Sequence, residues 1–303
     1  MIPIALITGF LGSGKTTLLR RMAGQYRERT VAFLVNEYAH NDVDGQRLAQ
    51  DAPNVQLLPG GSIFCTCLVH EFIGVLDLLP KQFGDSLDAV VIEASGVANP
   101  AVIARLLHDA RLDTTYTLRV VVSVVDPATF PALLQSLPNI AEQVRASDVV
   151  ILNKRDLHDA ETLDETERLV RTLRPEAPIH RAMFCEADID LLELALPHTD
   201  QDGELADCKD PNYAATAIPV DTPMDLERLG AVLDENEEGV YRLKGHVPTK
   251  AGTWYVDYAG NTLRVEPAPA WSGPLELVLI GDGHQRDRLT ELADAIARCA
   301  ANT

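Results

Sequence analysis

One stretch near the start of the chain narrows the possible folds more than any other. Gly9-Phe10-Leu11-Gly12-Ser13-Gly14-Lys15-Thr16 spells G-x-x-x-x-G-K-[ST]. An apolar run, Ile4-Ala5-Leu6-Ile7, precedes it, and the helix-like Thr17-Leu18-Leu19-Arg20-Arg21-Met22 follows. A strand, a glycine-rich loop and a helix in that order form a phosphate cradle. Its glycines let successive backbone N–H groups turn inward, and the helix start adds partial positive charge. Gly9, Gly12, Ser13, Gly14, Lys15, Thr16 and Thr17 are therefore candidate phosphate contacts. Lys15 suits the β- and γ-phosphates and the Thr16 hydroxyl suits Mg²⁺.

A second motif selects the base. Val149-Val150-Ile151-Leu152 reads as a buried strand, and Asn153-Lys154-Arg155-Asp156 follows it as N-K-x-D. A carboxylate there accepts two hydrogen bonds from the guanine N1–H and N2–H₂ edge. Adenine lacks that donor pair and would leave the carboxylate unsatisfied. Asn153, Lys154 and Asp156 are thus expected to hold GTP or GDP rather than ATP, which counts against an ATP-dependent kinase.

Two further strands close on acids. In Ala89-Val90-Val91-Ile92-Glu93-Ala94-Ser95-Gly96, Glu93 is placed to hold Mg²⁺, directly or through water. The Gly96 N–H is placed to contact the γ-phosphate and report its loss. Val31-Ala32-Phe33-Leu34-Val35-Asn36-Glu37 leads into the polar run Tyr38-Ala39-His40-Asn41-Asp42-Val43-Asp44-Gly45, a candidate switch loop. Asp42 or Asp44 is the candidate Mg²⁺ or water-positioning ligand within it; Lys15, Glu37, Glu93 and Gly96 are the candidate catalytic groups.

Apolar strands at 2–8, 31–36, 55–58, 89–93, 119–125 and 148–152, with an edge strand at 179–183, alternate with helices at 15–26, 69–79, 101–107, 127–134 with 141–145, 160–173 and 189–194. Strands that are apolar throughout are covered on both faces. The expected fold is α/β, a mostly parallel P-loop sheet flanked by helices, with its ligand at the carboxyl ends of the strands. Gly9, Glu37, Glu93 and Asn153 all fall at such ends. This domain is expected over residues 1–200 and an acidic linker over 201–212. A small α+β domain is expected over 213–303. Its strands are 214–220, 240–246, 253–258, 262–265 and 275–280, its helices 224–233 and 285–299, and its hairpin turn Ala259-Gly260-Asn261. Val240, Arg242, Lys244 and His246 would share one strand face, either a contact surface or a solvated one. Trp254 and Trp271 read as packing residues.

Together these stretches resemble the CobW-like GTPases, relatives of the nickel-insertion GTPases of urease and hydrogenase maturation. The resemblance rests on Ile7 through Thr17, Val35-Asn36-Glu37, Ile92-Glu93-Ala94-Ser95-Gly96-Val97-Ala98-Asn99-Pro100 and Asn153-Lys154-Arg155-Asp156. It extends to Val240-Tyr241-Arg242-Leu243-Lys244-Gly245 and Leu277-Val278-Leu279-Ile280-Gly281. It implies slow GTP hydrolysis with Mg²⁺, coupled to delivery of a metal or metal cofactor, zinc or cobalt foremost. The recipient would be a client metalloprotein or a cofactor-dependent enzyme. It also implies a nucleotide-dependent homodimer, and it is equally compatible with a GTP-dependent activator that carries no metal.

The family usually carries G-C-x-C-C after its third strand. Here the run is Gly61-Ser62-Ile63-Phe64-Cys65-Thr66-Cys67, so Ser62 and Phe64 take the first two cysteine positions and only Cys65 is kept. A Cys65/Cys67 pair, helped by His70 and by Glu37, is the candidate cargo site, since thiolates favour borderline metals such as Zn²⁺. The alternative is a pair of ordinary buried thiols. Cys185, Cys208 and Cys299 stand apart and read as packing residues, and an odd total of five cysteines argues against a disulfide scaffold.

The formal net charge is −19, and 23 of the 45 acids against 9 of the 26 bases lie in residues 186–303. Such a chain repels nucleic-acid phosphates and shows no basic face, so no nucleic-acid partner is expected. No apolar run is long enough to span a membrane, and the N-terminus has no secretion-signal pattern, so a cytoplasmic location is expected.

Overall fold

A computed structural model of the chain describes residues 1–36, 64, 68–187, 189–194 and 212–300, with the backbone of 55–58. The chain divides into two compact units, Met1–Cys208 and Lys209–Thr303.

The first unit is built on seven strands: β1 (Ile2–Thr8), β2 (Val31–Asn36), β3 (Val55–Leu58), β4 (Ala89–Glu93), β5 (Tyr116–Val125), β6 (Val149–Leu152) and β7 (Ile179–Arg181). Their order in the sheet is β3-β2-β4-β1-β5-β6-β7, and every neighbouring pair is parallel. The strand period of two explains why β1 is apolar throughout. Ile4 and Leu6 join a core with Phe72, Leu76, Val90 and Ile92, whereas Ala5 and Ile7 join a second core with Leu19, Met22 and Val91. Each large aliphatic side chain buried there contributes about 1.5–3 kcal/mol. The crossover helices are α1 (Lys15–Gln25), α2 (Val69–Phe83), α3 (Ile103–Asp109), α4 (Phe130–Ser136), α5 (Pro138–Arg145) and α6 (Ala160–Leu173).

Helix α2 runs four residues past the expected end, through Pro80. A proline has no N–H, so the carbonyl one turn earlier, on Leu76, loses its helical donor. The buried Tyr116 hydroxyl donates to that oxygen at 2.6 Å. The expected helix at 189–194 does not form: the residues around Leu191 make a turn. Side chains have taken the backbone donors that a helix would need. The Leu192 N–H donates to Asp190 Oδ1 at 3.2 Å and to the Tyr26 hydroxyl at 3.3 Å, and that hydroxyl donates in turn to Asp190 Oδ1. The expected segment at 101–107 is a 3₁₀ turn, Pro100–Val102, followed by α3.

The second unit is an antiparallel sheet in the order β11-β10-β9-β12-β8. Its strands are β8 (Tyr213–Pro219), β9 (Val240–Thr249), β10 (Gly252–Ala259), β11 (Thr262–Pro267) and β12 (Glu276–Asp282). Helices α7 (Leu226–Asp234) and α8 (Arg286–Ala297) bury Leu229, Leu233, Leu289, Leu292 and Ile296 against Leu243, Val247, Val256, Leu277 and Leu279. Asp225 caps α7, accepting from the Glu227 and Arg228 N–H groups at 3.1 Å, which sets the helix start one residue beyond it. Gly260 and Asn261, both at φ 56°, make the β10–β11 turn, the conformation that a two-residue hairpin requires.

On the opposite face of β9, of the two expected alternatives, a contact surface or a solvated row, the solvated row is absent. Arg242 reaches Asp257 through two bonds of 3.1 Å, Lys244 and His246 are buried, and His246 stacks on Trp271 at 3.7 Å between ring centres. Trp254 packs against the core. No helix among the described residues is long and apolar enough to cross a membrane.

Candidate functional site

The glycine-rich loop leaves β1 at its carboxyl end and enters α1 at Lys15. Gly9 has φ 131°, and a Cβ there would lie 2.1 Å from the Val124 carbonyl oxygen. Gly14 has φ 115°, and a Cβ there would lie 2.3 Å from Asn153 Nδ2. Both positions therefore exclude any side chain. Helix α1 starts with no side-chain cap and no acid in its first turn, so its leading amides stay available to an anion. Lys15 is buried and donates from Nζ to the Phe10 carbonyl at 3.1 Å. Ser13 Oγ is buried with no hydrogen-bond partner among the described residues. Thr17 is half-buried beside Thr16.

Thr16 and Glu93 meet across the sheet: the Thr16 hydroxyl donates to Glu93 Oε1 at 3.0 Å, with Glu93 buried at the end of β4. A hydroxyl and a carboxylate oxygen side by side next to a phosphate loop are hard oxygen donors, the type that Mg²⁺ prefers, and the pair fits that ion.

On the other flank, Asn153 is buried at the end of β6 and joins three segments. Its Nδ2 donates to the Ser13 carbonyl at 2.9 Å, and its Oδ1 accepts from the Cys185 N–H at 2.8 Å. The Cys185 thiol in turn points to the Gly14 carbonyl at 3.4 Å. Lys154 adopts φ 60° and pairs through Nζ with the buried Asp126 carboxylate. Asp156 is exposed within the 3₁₀ turn Arg155–Leu157, and the nearby Phe184 ring is also largely exposed. Burial pushes the Cys185 thiol up to about 12, so it stays protonated at neutral pH.

Between the two flanks runs the segment after Glu93, buried from Ala94 to Ala98. Gly96 is pressed against the phosphate loop, since a Cβ on it would lie 2.6 Å from Leu11 N. Asn36, the last residue of β2, accepts from the Ser95 N–H at 3.3 Å. The structure thus brings Gly9, Gly14, Lys15, Thr16, Glu93, Gly96 and Asn153 to one end of one sheet.

Glu37, Asp42, Asp44, Cys65, Cys67 and Cys208 lie outside the described residues. His70 is exposed in the first turn of α2. Phe64, which the sequence sets at the second cysteine position of the G-C-x-C-C pattern, is fully buried with its ring edge-on to Phe72 at 6.0 Å. Among the described residues no three His, Cys, Asp or Glu side chains cluster as a metal site would require.

Four residues in this region were not singled out from sequence for such contacts. Asp126 holds Lys154, and Cys185, read as packing, also ties Asn153 to the phosphate loop. Asn139 and Gln143 bind the carbonyls beyond Gly96. The position of Asp126 directly after β5, at the same sheet end as Asn153, was the available signal for the first.

Comparison with known proteins agrees with this geometry. The sequence model of the CobW/HypB/UreG nucleotide-binding domain matches residues 3–181, and that of the cobalamin synthesis protein cobW C-terminal domain matches residues 213–297. The zinc chaperone CobW of Pseudomonas aeruginosa is 31% identical over 232 residues, covering 63% of this chain and 61% of its own length. The zinc chaperone YjiA of Escherichia coli is 28% identical over 261 residues, covering 80% and 81%. The zinc-regulated GTPase metalloprotein activator 1 of Schizosaccharomyces pombe is 30% identical over 201 residues, covering 64% and 48%. The chain thus spans less than two thirds of the Pseudomonas and Schizosaccharomyces proteins. With a P-loop sheet whose motifs converge at one end, and with the matching second domain behind it, the chain belongs to the CobW/HypB/UreG family of nucleotide-binding proteins.

Proposed function

We propose that this protein binds and hydrolyses GTP and couples that cycle to the delivery of a metal, zinc or cobalt, to a client metalloprotein in the cytoplasm. The observation that carries the reading is the meeting of the Gly9–Thr16 loop, Glu93 and Asn153 at one sheet end, with Thr16 and Glu93 in direct contact. Lys15 exchanges the Phe10 carbonyl for phosphate oxygens and neutralises charge on them. The loop amides and the uncapped start of α1 cradle the same oxygens. Thr16 and Glu93 hold Mg²⁺, which when bound offsets charge on the transferring phosphoryl group. Asn153 braces the base-binding loop against the phosphate loop, and exposed Asp156 meets the guanine edge. Gly96 offers its N–H to the γ-phosphate. Glu37, Asp44, Cys65, Cys67 and His70 are assigned to the switch and the cargo metal on sequence grounds.

Calorimetry in magnesium buffer tests the nucleotide reading. Micromolar or tighter GDP binding supports it, and no guanine-nucleotide uptake overturns it. Asp156→Asn turns an acceptor into a donor toward the guanine edge and is expected to weaken GDP binding by about 10²-fold or more. For the cargo, zinc titrated with and without a non-hydrolysable GTP analogue should show two different affinities, because a ligand shifts only an equilibrium that it binds unequally.

A second reading has its own observation. Phe64 occupies the core where a thiolate would be needed, which favours a GTP-dependent activator that carries no metal. Equal zinc affinities in the two nucleotide states, unchanged in a Cys65→Ser, Cys67→Ser double variant, would select it.

A further inference from the structure

The segment after Glu93 is held from behind by one helix. Three successive carbonyls, those of Gly96, Val97 and Ala98, all accept side-chain amide donors from α5. Gln143 Nε2 donates to Gly96 O at 3.0 Å and to Ala98 O at 3.1 Å, and Asn139 Nδ2 donates to Val97 O at 3.0 Å. Asn139 and Gln143 are four residues apart and so share a helix face. Gln143 is 2% exposed. A buried uncharged amide that satisfies two backbone oxygens holds its partners firmly.

The peptide plane converts these bonds into a direction. In a trans peptide the N–H points opposite to the C=O of the preceding residue. The Ser95 carbonyl accepts from the Ala98 N–H at 2.9 Å, and that N–H shares a peptide plane with the Val97 carbonyl, which Asn139 holds. The direction of the Gly96 N–H is therefore set through this turn, and that of the Val97 N–H is set by the Gly96 carbonyl directly. The Ala94 N–H is fixed on Ile7 O at 2.9 Å and the Ser95 N–H on Asn36 Oδ1. The Gly96 N–H has no acceptor among the described residues.

The same helix continues toward the base-binding loop. The Ser147 hydroxyl donates to the Gln143 carbonyl at 2.6 Å, Asp148 anchors the Val121 N–H at 2.8 Å, and β6 then runs to Asn153.

We propose that Gln143 and Asn139 are the positioning residues of the segment that senses the γ-phosphate: Gln143 aims the Val97 N–H, Asn139 aims the Gly96 N–H through the turn, and together they carry any shift of that segment into α5. The proposal rests on the GTP-binding reading above.

Gln143→Leu keeps the side-chain volume and removes both donors. Steady-state hydrolysis and calorimetry with GDP and with a non-hydrolysable GTP analogue separate positioning from mere stability. The expected result is a fall in kcat and in analogue affinity of about 10-fold to 100-fold, the scale for a misaimed backbone donor. GDP, which lacks the γ-phosphate, should bind within about twofold of the unmodified protein. If Gln143→Leu does not fold, Asn139→Ala, on a half-exposed side chain, carries the same test with a smaller split. An unchanged ratio of analogue to GDP affinity would overturn the proposal, whether both affinities stay constant or both weaken together with thermal stability. Failure of the unmodified protein to bind any guanine nucleotide is a separate result, which overturns the GTP reading and this proposal with it.

Discussion

Each of the two units holds a glycine, in or next to its sheet, at which a side chain would collide with backbone, and the two glycines serve different ends. Gly9, in the loop after β1, would drive a Cβ to 2.1 Å from Val124 O; Gly245, inside β9, would drive one to 2.0 Å from Glu276 O. Both have positive φ, 131° and 155°. In the parallel sheet both faces are covered, so its chemistry-bearing groups are displaced to the loops at one end. In the GTP-binding reading proposed above, Gly9 serves that end by letting the chain curl around a phosphate. In the antiparallel sheet the two helices pack on one face, and the other carries Arg242, Lys244 and His246, paired, buried or stacked within the fold. Gly245 serves the packing of β9 against β12, where it pairs with Leu277. A glycine-bearing motif thus marks a ligand site in one unit and a tight strand contact in the other.

The sharpest way to break this contrast is at Lys15. Lys15→Ala should cut GTP turnover by about 10²-fold or more while leaving the thermal transition of residues 212–300 in place, since its effect is electrostatic and local. Next comes Gly245→Ala, which should destabilise the protein by about 2–4 kcal/mol, read as a lower melting temperature, with GDP affinity retained. Loss of GDP binding in that variant would erase the distinction between the two glycines. A smaller effect is expected for Tyr116→Phe. It strands the Leu76 carbonyl next to Pro80 and should cost about 1–2 kcal/mol in denaturant unfolding, without altering kcat.

The smallest effect is a pH dependence from Cys185. Its folded value, about 12, lies above that of an unfolded thiol. The stability linked to this thiol is complete below about pH 8.5 and is lost as pH rises toward the folded value. By about pH 9.5 the loss should reach about 1 kcal/mol, seen as a steeper fall in melting temperature for the unmodified protein than for Cys185→Ala.

How far the sequence revealed this arrangement depended on the range of the interactions involved. Helix α6 was legible to the residue, because Asp159 caps it and its apolar positions keep a helical period. The parallel sheet was legible, though not the order of its strands, because β1, β2 and β4 are apolar on both faces. The turn near Leu191 was not, because its backbone donors are taken by Asp190 and by Tyr26, a residue far away in sequence. Gln143 and Asn139 were not singled out, Asn139 falling outside the expected helix at 141–145, because their acceptors lie more than forty positions upstream. The face of β9 stayed undecided between a contact and a solvated surface because the stacking of Trp271 on His246 cannot be read from alternation along a strand.

Asn153 has a further consequence. One carboxamide staples the phosphate loop, the end of β6 and the loop after β7 before any nucleotide arrives. In the GTP-binding reading proposed above, the receptacle for the base is prefabricated: its ordering is settled when the chain folds, and an incoming purine has little left to organise at that end. Discrimination between tri- and diphosphate then falls to the opposite flank, so a mutation that loosened the staple should blunt recognition of the base while sparing the capacity to tell the two phosphate states apart.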